Sequence, residues 1–189
     1  MPVPYIEGFA LVASPYLPDS NFLRSVVYIV KHDADGAYGL ILNRPTDFTV
    51  GQLLEQVLGE PFDDSVGSQQ PIFHGGPVEG PIVIVHEHET TNATFCEPGV
   101  YLSSDQSDFA EICRHSSSRF RVFSGYAGWA PGQLNEELKQ GGWLVWKLSK
   151  EDLFGSIDEI WHAAVRQIGR EILVDILPSS TIPDDPSCN

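Results

Sequence analysis

Short apolar runs, rich in β-branched residues and each closed by Pro, Gly or Asp, dominate the first half of the sequence. Residues 9–13, 25–31 and 38–42 are three of these runs, and their length and composition predict β-strands. Between the second and the third run lies Asp35-Gly36, a step that favours a tight reversal with positive φ at the glycine. The sequence therefore predicts a β-hairpin that joins 25–31 to 37–43.

After this hairpin the apolar residues recur with the period of a helix. Residues 50–58 show that spacing, and Thr49-x-x-Gln52 in front of them has the form of a capping box. Gly59 and Pro61 follow the last apolar residue, and both residue types end helices. The sequence therefore predicts a capped helix over 50–58.

A second capped helix is predicted near the end of the chain. Ser156-x-x-Glu159 has the form of a capping box, and an apolar stripe follows it as far as Ile168. The remaining predicted elements are strands at 71–74, 82–88, 100–103, 119–125 and 143–148 and helices at 107–113 and 131–140. Because strands and helices mix without a regular βαβ alternation, the sequence predicts an α+β domain.

The size of the chain predicts one domain. It has 189 residues, of which 42% are hydrophobic, and this is enough to build a core without disulfide bonds. We expect that domain to span 1–177. Residues 178–189 are polar and rich in proline and are predicted to form a disordered tail, and the acidic stretch 60–70 is predicted to be a mobile surface loop.

The cysteines and the apolar segments predict a cytoplasmic protein. Cys96, Cys113 and Cys188 form no CxxC pair, and an odd number of cysteines offers no disulfide framework. The longest apolar runs are far shorter than the roughly 20 residues of a membrane-spanning helix. The N-terminal residues lack the basic start and the apolar stretch of a secretory signal. We therefore expect a reducing compartment and no membrane association.

Negative charge is concentrated in the middle of the chain. The formal net charge is −15, and residues 45–113 contain 12 acidic residues and no Lys or Arg. DNA-binding and RNA-binding proteins gain affinity by neutralising phosphates with Lys and Arg, so a field of this sign repels nucleic acid. The sequence also lacks a helix-turn-helix pattern and a basic stripe. Direct nucleic-acid binding is therefore not expected.

The cluster His86-Glu87-His88-Glu89 offers the only candidate metal ligands that we single out. On a strand, the period of two would place His86 and His88 on one face. A zinc site would then need a third ligand, for which His74 is the nearest histidine before them in the sequence. The alternative, which we favour, is the exposed end of a strand with no metal. No other sequence pattern predicts a metal or a cofactor.

Two glycine-rich segments are candidate ligand-binding turns. His74-Gly75-Gly76-Pro77 could let backbone N–H groups converge as in an oxyanion hole, although the GxSxG elbow that accompanies this feature in lipases is absent. The second segment, Gly125-Tyr126-Ala127-Gly128-Trp129, leads into a predicted helix that contains Gln133. Each segment has a purely structural alternative: a tight turn in the first case, and core packing of the aromatic residues in the second.

The few basic residues of the first half flank the predicted hairpin. Arg24-Ser25 precedes its first strand, and Asn43-Arg44 follows its second. Arginine is suited to bidentate recognition of a carboxylate or a phosphate. Pairing of these arginines with acidic residues of the same chain is the alternative.

Four motifs, taken in order, resemble one known family. They are the run from Phe22 to Ile29, the run from Gly36 to Pro45, Gly75-Gly76-Pro77-Val78, and the run from Gly125 to Leu134 with Glu136-Glu137 after it. The sequence resembles the AlgH family of YqgE-like bacterial proteins from about Gly8 to about Leu177. The resemblance implies an α+β or α/β fold in which helices flank a strongly curved, mixed but largely antiparallel sheet. It implies no catalytic residue, and the family's name reflects a proposed transcriptional role.

Three functions remain as hypotheses. The first is a non-enzymatic protein that binds a small ligand or a protein partner and acts on regulation, if at all, indirectly. Its candidate site comprises the residues of the arginine and glycine motifs, namely Arg24, Ser25, Asn43, Arg44, Gly75, Gly76, Gly125, Tyr126, Gly128, Trp129 and Gln133. The second is a hydrolase that uses His32, His74 or His86 as general base, and the third is a transcriptional regulator. The sequence predicts neither a cofactor nor an oligomeric state.

Overall fold

The computed structural model describes residues 5–15, 17, 19–59, 67–114 and 119–176, and in these it contains ten β-strands and five α-helices. The strands are β1 (Ala10–Ala13), β2 (Val26–Asp33), β3 (Gly36–Ile41), β4 (Pro45–Thr49), β5 (Pro71–His74), β6 (Val78–His86), β7 (Thr94–Cys96), β8 (Val100–Ser103), β9 (Phe120–Trp129) and β10 (Trp143–Trp146). The helices are α1 (Val50–Leu58), α2 (Gln106–Arg114), α3 (Gln133–Lys139), α4 (Lys150–Phe154) and α5 (Ile160–Ile176).

The strands form one curled sheet. Eight of them follow the order β10-β1-β2-β3-β9-β6-β8-β7, and every neighbouring pair on this path is antiparallel. Off this path, β4 pairs with β5, and β5 runs parallel to β9. The sheet curls into a half-barrel with the helices around it. The predicted α+β class and the largely antiparallel, curved sheet are confirmed.

The predicted hairpin is formed by β2 and β3. His32 pairs with Ala37 and Asp33 with Gly36, and Gly36 has a φ of +135°. On its other side β3 pairs with β9, where Tyr38 lies opposite Gly128. The predicted strand at 119–125 therefore continues to Trp129, and the glycine-rich segment that we took for a loop is the end of a central strand.

Both faces of the sheet are covered, which explains why the strands read as continuous apolar runs. Alternate residues of a strand point to opposite faces: in β2, Val26 and Tyr28 pack in the cluster that includes α4 and α5, while Val27 and Ile29 pack in the cluster that includes α3. A third cluster lies between the sheet and the pair α1 and α2. Every one of these four β2 side chains is completely buried.

The first predicted helix is confirmed and the start of the last is wrong. At α1 the side chain of Thr49 accepts from the backbone of Gln52 and the Gln52 side chain accepts from the backbone of Thr49, as the capping box requires. The last helix begins at Ile160 and not after Ser156. A short helix that the apolar spacing did not indicate, α4, precedes it with its own capping box, Ser149 with Asp152. The segment 155–159 is therefore the connection between two helices.

The predicted loop 60–70 falls partly on described residues. Residues 67–70 form a turn against α1: the backbone N–H of Val50 donates to the carbonyl of Gln70, and that of Gly51 donates to the carbonyl of Ser68. This turn is anchored and Ser68 is buried, whereas Gln69 is exposed, so Ser68 does not fit the surface loop that we predicted. Residues 60–66 and the predicted tail 178–189 lie outside the described residues. In the described parts of the chain, no helix has the length and apolar character needed to cross a membrane.

An ion-pair network holds the end of β6 to the residue before β9 and to α4. Arg119 donates from Nε and Nη2 to both carboxylate oxygens of Glu87, at 2.8 and 2.7 Å, and Lys150 Nζ lies 3.2 Å from Glu87 Oε1. The hydrogen bonds from Arg119, followed by the contribution of Lys150, lower the pKa of Glu87 to about 2. The network therefore contributes its full stabilisation above the ordinary pKa of a glutamate, and loses it as the pH falls towards 2.

We expect Glu87→Gln to reduce the dependence of the free energy of unfolding on pH between about pH 4.5 and pH 2, because the pKa difference that creates this dependence is removed. Urea unfolding at a series of pH values measures it. Glu89→Gln is the matched control, since Glu89 is exposed and belongs to none of the ion pairs found among the described residues. Equal pH profiles for Glu87→Gln and the unmodified protein would contradict the assignment.

Candidate functional site

A cavity of about 370 Å³ opens beside the C-terminal end of β9. Helix α3, the turn after it, the first residue of β10 and the segment before β2 form its walls. We call it the aromatic cleft. Its lining residues are Leu17, Asp19, Phe22, Pro77, Gly128, Trp129, Gln133, Glu137, Gln140, Gly141, Gly142 and Trp143.

Three aromatic rings from different parts of the chain meet in the aromatic cleft. The ring of Phe22 stacks on that of Trp129 with their centroids 6.0 Å apart, and its centroid lies 5.3 Å from that of Trp143, edge to face. The two indole rings are 6.1 Å apart and also meet edge to face. Trp129 and Trp143 are almost fully buried, whereas Phe22 is partly exposed. These arrangements are the ones that aromatic quadrupoles favour.

The carboxylate of Glu137 is held in place by three neutral donors. Its Oε2 accepts from the indole N–H of Trp129 at 2.9 Å and from that of Trp143 at 2.8 Å. Its Oε1 accepts from Nε2 of Gln133 at 2.9 Å. The Gln133 side chain is itself oriented, because its Oε1 accepts from the backbone N–H of Ala130 at 3.1 Å. Glu137 thus ties α3 to β9 and β10 and presents a fixed negative charge.

The predicted polar group around the arginines holds one wall of the aromatic cleft. Arg44 Nη2 donates to the carbonyl of Leu23 at 2.7 Å, and Asn43 Nδ2 donates to the carbonyl of Arg24 at 2.9 Å. Ser25 Oγ donates to the carbonyl of Phe22 at 2.9 Å. These bonds fix the turn after Phe22, in which Arg24 has a φ of +53° that is unusual for a residue with a side chain. The arginine motif makes internal contacts, but Arg44 donates to a carbonyl and not to an acidic residue, so the described contacts do not show the pairing with acids that was our alternative.

The guanidinium group of Arg24 points away from this wall. It lies over the ring of Trp161 in α5, with its Cζ 5.7 Å from the ring centroid, and the residue is exposed. Neither Arg24 nor Arg44 lines the aromatic cleft. We predicted that these arginines could recognise a carboxylate or a phosphate. Their contacts give no support for this, and it stays a prediction.

The two glycine-rich motifs lie side by side, as a continuation of the parallel pair β5 and β9. The backbone N–H of Gly75 donates to the carbonyl of Ser124 at 2.8 Å, and a Cβ at Gly75 would lie less than 3.0 Å from the carbonyl oxygen of Gly125. A Cβ at Gly76 would overlap the backbone of Tyr126 in the same way. The glycines therefore permit a close backbone approach. Because the N–H of Gly75 already has a partner, it does not contribute to an oxyanion hole.

The predicted site residues thus fall into three neighbouring groups. Gly128, Trp129 and Gln133 line the aromatic cleft directly. The second group, which consists of Arg24, Ser25, Asn43 and Arg44, surrounds the turn that carries Phe22. The third group lies where the two glycine motifs run side by side and consists of Gly75, Gly76, Gly125 and Tyr126. Pro77, which follows Gly76, reaches the cleft.

Sequence reasoning missed three residues that shape the aromatic cleft: Phe22, Glu137 and Trp143. One signal could have pointed to Glu137, because Gln133 and Glu137 are four residues apart on one helix and can form a hydrogen bond. Another was available for Trp143, since the N–H of a buried indole usually has an acceptor. The sequence gives no indication that both indoles share one carboxylate, because they lie in different strands.

Comparison with known proteins places the chain in a family. A family model described as AlgH-like matches residues 10–173. The chain belongs to the AlgH-like family. It is 35% identical to a UPF0301 protein of Streptomyces coelicolor, an alignment that covers 97% of this chain and 95% of that protein. The predicted resemblance is confirmed.

Two solved structures share the fold of this AlgH-like chain. The solution structure of the AlgH protein from Pseudomonas aeruginosa matches with a TM-score of 0.73 and 27% identity, over 93% of this chain and 95% of that one. The crystal structure of protein DIP2367 from Corynebacterium diphtheriae matches with a TM-score of 0.71 and 28% identity, over 87% of each chain.

The three histidines proposed as general bases lie outside the aromatic cleft. His32 is buried and its Nδ1 accepts from the backbone N–H of Ile6 at 3.3 Å. His74 is exposed at the end of β5. His86 is completely buried against Tyr101, with the ring centroids 6.0 Å apart, and burial lowers its pKa. The hydrolase hypothesis therefore stays a prediction. No contact among the described residues identifies one of these histidines as a general base.

The candidate metal ligands do not share a strand face. Strand β6 ends at His86, and His88 lies beyond it with Nε2 3.7 Å from Oε1 of Glu111. Our expectation that His86 sits at an exposed strand end is wrong, because the residue is completely buried and pairs with Phe120 on β9. Among the described residues, no group of three or more His, Cys, Asp or Glu side chains is arranged to hold a metal ion.

A second cavity, of about 220 Å³, lies between α1, α2, the middle of β6 and the end of β8. Its walls are mainly apolar, with Leu53, Ile84 and Phe109 among them. The carboxylate of Asp105 at its rim is already used, because Oδ1 accepts from both the backbone N–H and the hydroxyl of Ser107. This smaller cavity offers a ligand little oriented polar contact.

Proposed function

We propose that this AlgH-like chain is a non-enzymatic binding protein and that a small ligand occupies the aromatic cleft. The observation that carries the proposal is the fixed carboxylate of Glu137 beside the ring of Phe22, in a cavity of about 370 Å³. Small-molecule sites are typically concave, largely apolar and provided with a few oriented polar groups. The aromatic cleft is concave, contains three aromatic rings and presents an oriented carboxylate, and its wall is about equally polar and apolar.

The aromatic cleft is built in advance of binding. The rings of Trp129 and Trp143 are held by their hydrogen bonds to Glu137, and the Phe22 wall is held by Asn43, Arg44 and Ser25. A ligand that enters need not order these groups, and such preorganisation lowers the entropic cost of binding. This supports a role for the arginine motif in positioning the site. A regulatory effect of the protein would then follow from the bound ligand and not from contact with nucleic acid.

The indole N–H signals provide a direct test. In a ¹H–¹⁵N correlation spectrum of the full chain, a fragment library should yield compounds that shift the Trp129 and Trp143 indole signals. Trp161 is an internal reference, because its indole N–H donates to the carbonyl of Ala13 outside the aromatic cleft. Trp→Phe variants assign the signals. The proposal fails if no fragment shifts either cleft indole at ligand concentrations of about 1 mM, the range in which weak sites bind.

A further inference from the structure

On the basis of the proposed function, we infer that the ligand of the aromatic cleft is an organic cation, an ammonium group attached to a small apolar body. Three features carry this inference. The first is that the carboxylates in the wall form no ion pair among the described residues. The second is the aromatic rings in the same wall. The third is that the nearby arginines contact other groups of the protein. Each bears on the charge of the ligand.

The carboxylates of the aromatic cleft lack a cationic partner. The three donors to Glu137 are indole and amide groups, which stabilise the carboxylate without cancelling its charge. Asp19 is the second acid of the wall, and its Oδ1 accepts from the backbone N–H of Asn21 at 2.8 Å. Among the described residues, no Lys, Arg or His forms an ion pair with either acid. Lys139, on the same helix, is paired with Glu136 at 2.6 Å.

The aromatic rings favour a positive group in the same place. The negative faces of aromatic rings attract cations, and this attraction grows when the site is partly desolvated. Phe22 is partly exposed and stands with Trp129 and Trp143 in the wall that also contains Glu137. A ligand with an ammonium group can therefore contact a carboxylate and a ring at once, while its apolar part covers the remaining surface.

An anionic ligand is disfavoured by the same wall. It would approach Asp19 and Glu137, and among the described residues no cation lines the cavity. The nearest arginine motif is already committed, since Arg44 donates to the carbonyl of Leu23 and Arg24 covers Trp161. The charge in the cavity is thus negative, as is the net charge of −15 of the whole chain. A net negative charge attracts cations from a distance.

Three probes of nearly equal size and shape separate charge from shape. They are choline, the neutral 3,3-dimethylbutan-1-ol and the anion 3,3-dimethylbutanoate. Each is titrated into the 189-residue protein while the Trp129 and Trp143 indole signals are followed. We expect choline to bind at least about tenfold more tightly than the alcohol, a difference within the range of cation–π and ion-pair contributions, and the anion to bind most weakly. Of the three probes, only choline should bind more weakly when salt is added.

Variants that remove one negative charge each show which carboxylate contributes to the preference for choline. Asp19→Asn keeps an oxygen for the Asn21 N–H and should weaken choline binding by about twofold to fivefold, in line with the loss of one exposed charge, without changing the binding of the alcohol. Glu137→Gln should weaken choline binding further. Glu136→Gln removes the same charge one residue away, from a side chain that is paired with Lys139 on the exposed surface, and should leave both affinities unchanged.

The outcomes separate this inference from the function on which it rests. If the alcohol binds as tightly as choline, or if Asp19→Asn and Glu137→Gln leave the affinity for choline unchanged, the ligand is not selected for positive charge. The inference is then overturned and the binding function stands. If the fragment screen gives cleft binders but choline shifts neither indole, the inference fails alone. If neither the screen nor any of the three probes shifts a cleft indole, both fail.

Discussion

Replacing Gly75 with alanine should lower the free energy of unfolding by about 3 kcal/mol, the upper part of the range for forced overpacking. The Cβ would lie less than 3.0 Å from the carbonyl oxygen of Gly125, which belongs to the backbone of a central strand and cannot rotate away. The clash is relieved only if the two backbone segments move apart. That movement weakens the hydrogen bonds from the N–H of Ile41 to the carbonyl of Gly75 and from the N–H of Gly75 to the carbonyl of Ser124. Urea unfolding measures the loss, and the midpoint of thermal unfolding should fall by about 10 °C.

Gly169→Ala is the control for this prediction. Gly169 lies in α5, and a Cβ there has no atom within 4 Å. Alanine should therefore raise the stability by up to about 1 kcal/mol through helix propensity alone. If the free energy of unfolding of Gly75→Ala lies within about 1 kcal/mol of that of the unmodified protein, as for ordinary mild substitutions, the close approach of the two glycine motifs is not a structural requirement.

Replacing Glu137 with alanine should lower the free energy of unfolding by about 3 kcal/mol. The substitution leaves the indole N–H groups of Trp129 and Trp143 without their acceptor, and each unpaired buried donor costs about 1–3 kcal/mol. Both indoles are almost completely buried, at 6% and 4% exposure, so water reaches them only if the packing opens. We expect the two indole N–H signals to shift or broaden, and the near-UV circular dichroism to change.

Glu136→Ala serves as the matched control, because it removes an exposed glutamate from the same helix. Its only ion pair in the described structure is with Lys139, and both partners are more than half exposed, so the change should stay within about 0.5 kcal/mol. Glu137→Gln should fall between the two, since the amide oxygen can still accept. Equal stabilities for Glu136→Ala and Glu137→Ala would mean that the shared acceptor contributes nothing to the fold.

Local patterns in the sequence were sufficient for most elements of the fold. The Asp35-Gly36 step and the Thr49-Gln52 box each act over a few residues, and both appear in the structure as predicted. The box at Ser156 does not cap the helix, which starts at Ile160. The connection in front of it makes a contact that is distant in sequence, since the guanidinium of Arg121 donates to the carbonyl of Gly155.

The candidate site was predictable only in part. Glycines, aromatic residues and Gln133 pointed to the C-terminal end of β9, which is where the aromatic cleft lies. The shared acceptor of Trp129 and Trp143 was not predictable, because the two indoles reach Glu137 from different strands and only the folded sheet brings them together. The prediction of a ligand contact at Arg44 lacked support for a related reason. Its hydrogen-bond partner is a backbone carbonyl twenty-one residues away along the chain.

The same limitation affected His86. Its sequence neighbours His88 and Glu89 are polar and suggested an exposed strand end. Its actual neighbours in the fold are Tyr101 on β8 and Phe120 on β9, with which it pairs across the sheet. Burial at this position was therefore decided by strand order, and strand order depends on contacts far apart in the sequence.

A crystal structure of the protein grown with choline, and a parallel one grown with 3,3-dimethylbutan-1-ol at the same concentration, would test the central claim most directly. Our account predicts density for the trimethylammonium group between Phe22 and the carboxylates of Glu137 and Asp19, and weaker or no density for the alcohol. Density for choline in the smaller cavity beside Phe109, or an aromatic cleft without choline in crystals that contain it at saturating concentration, would contradict the claim.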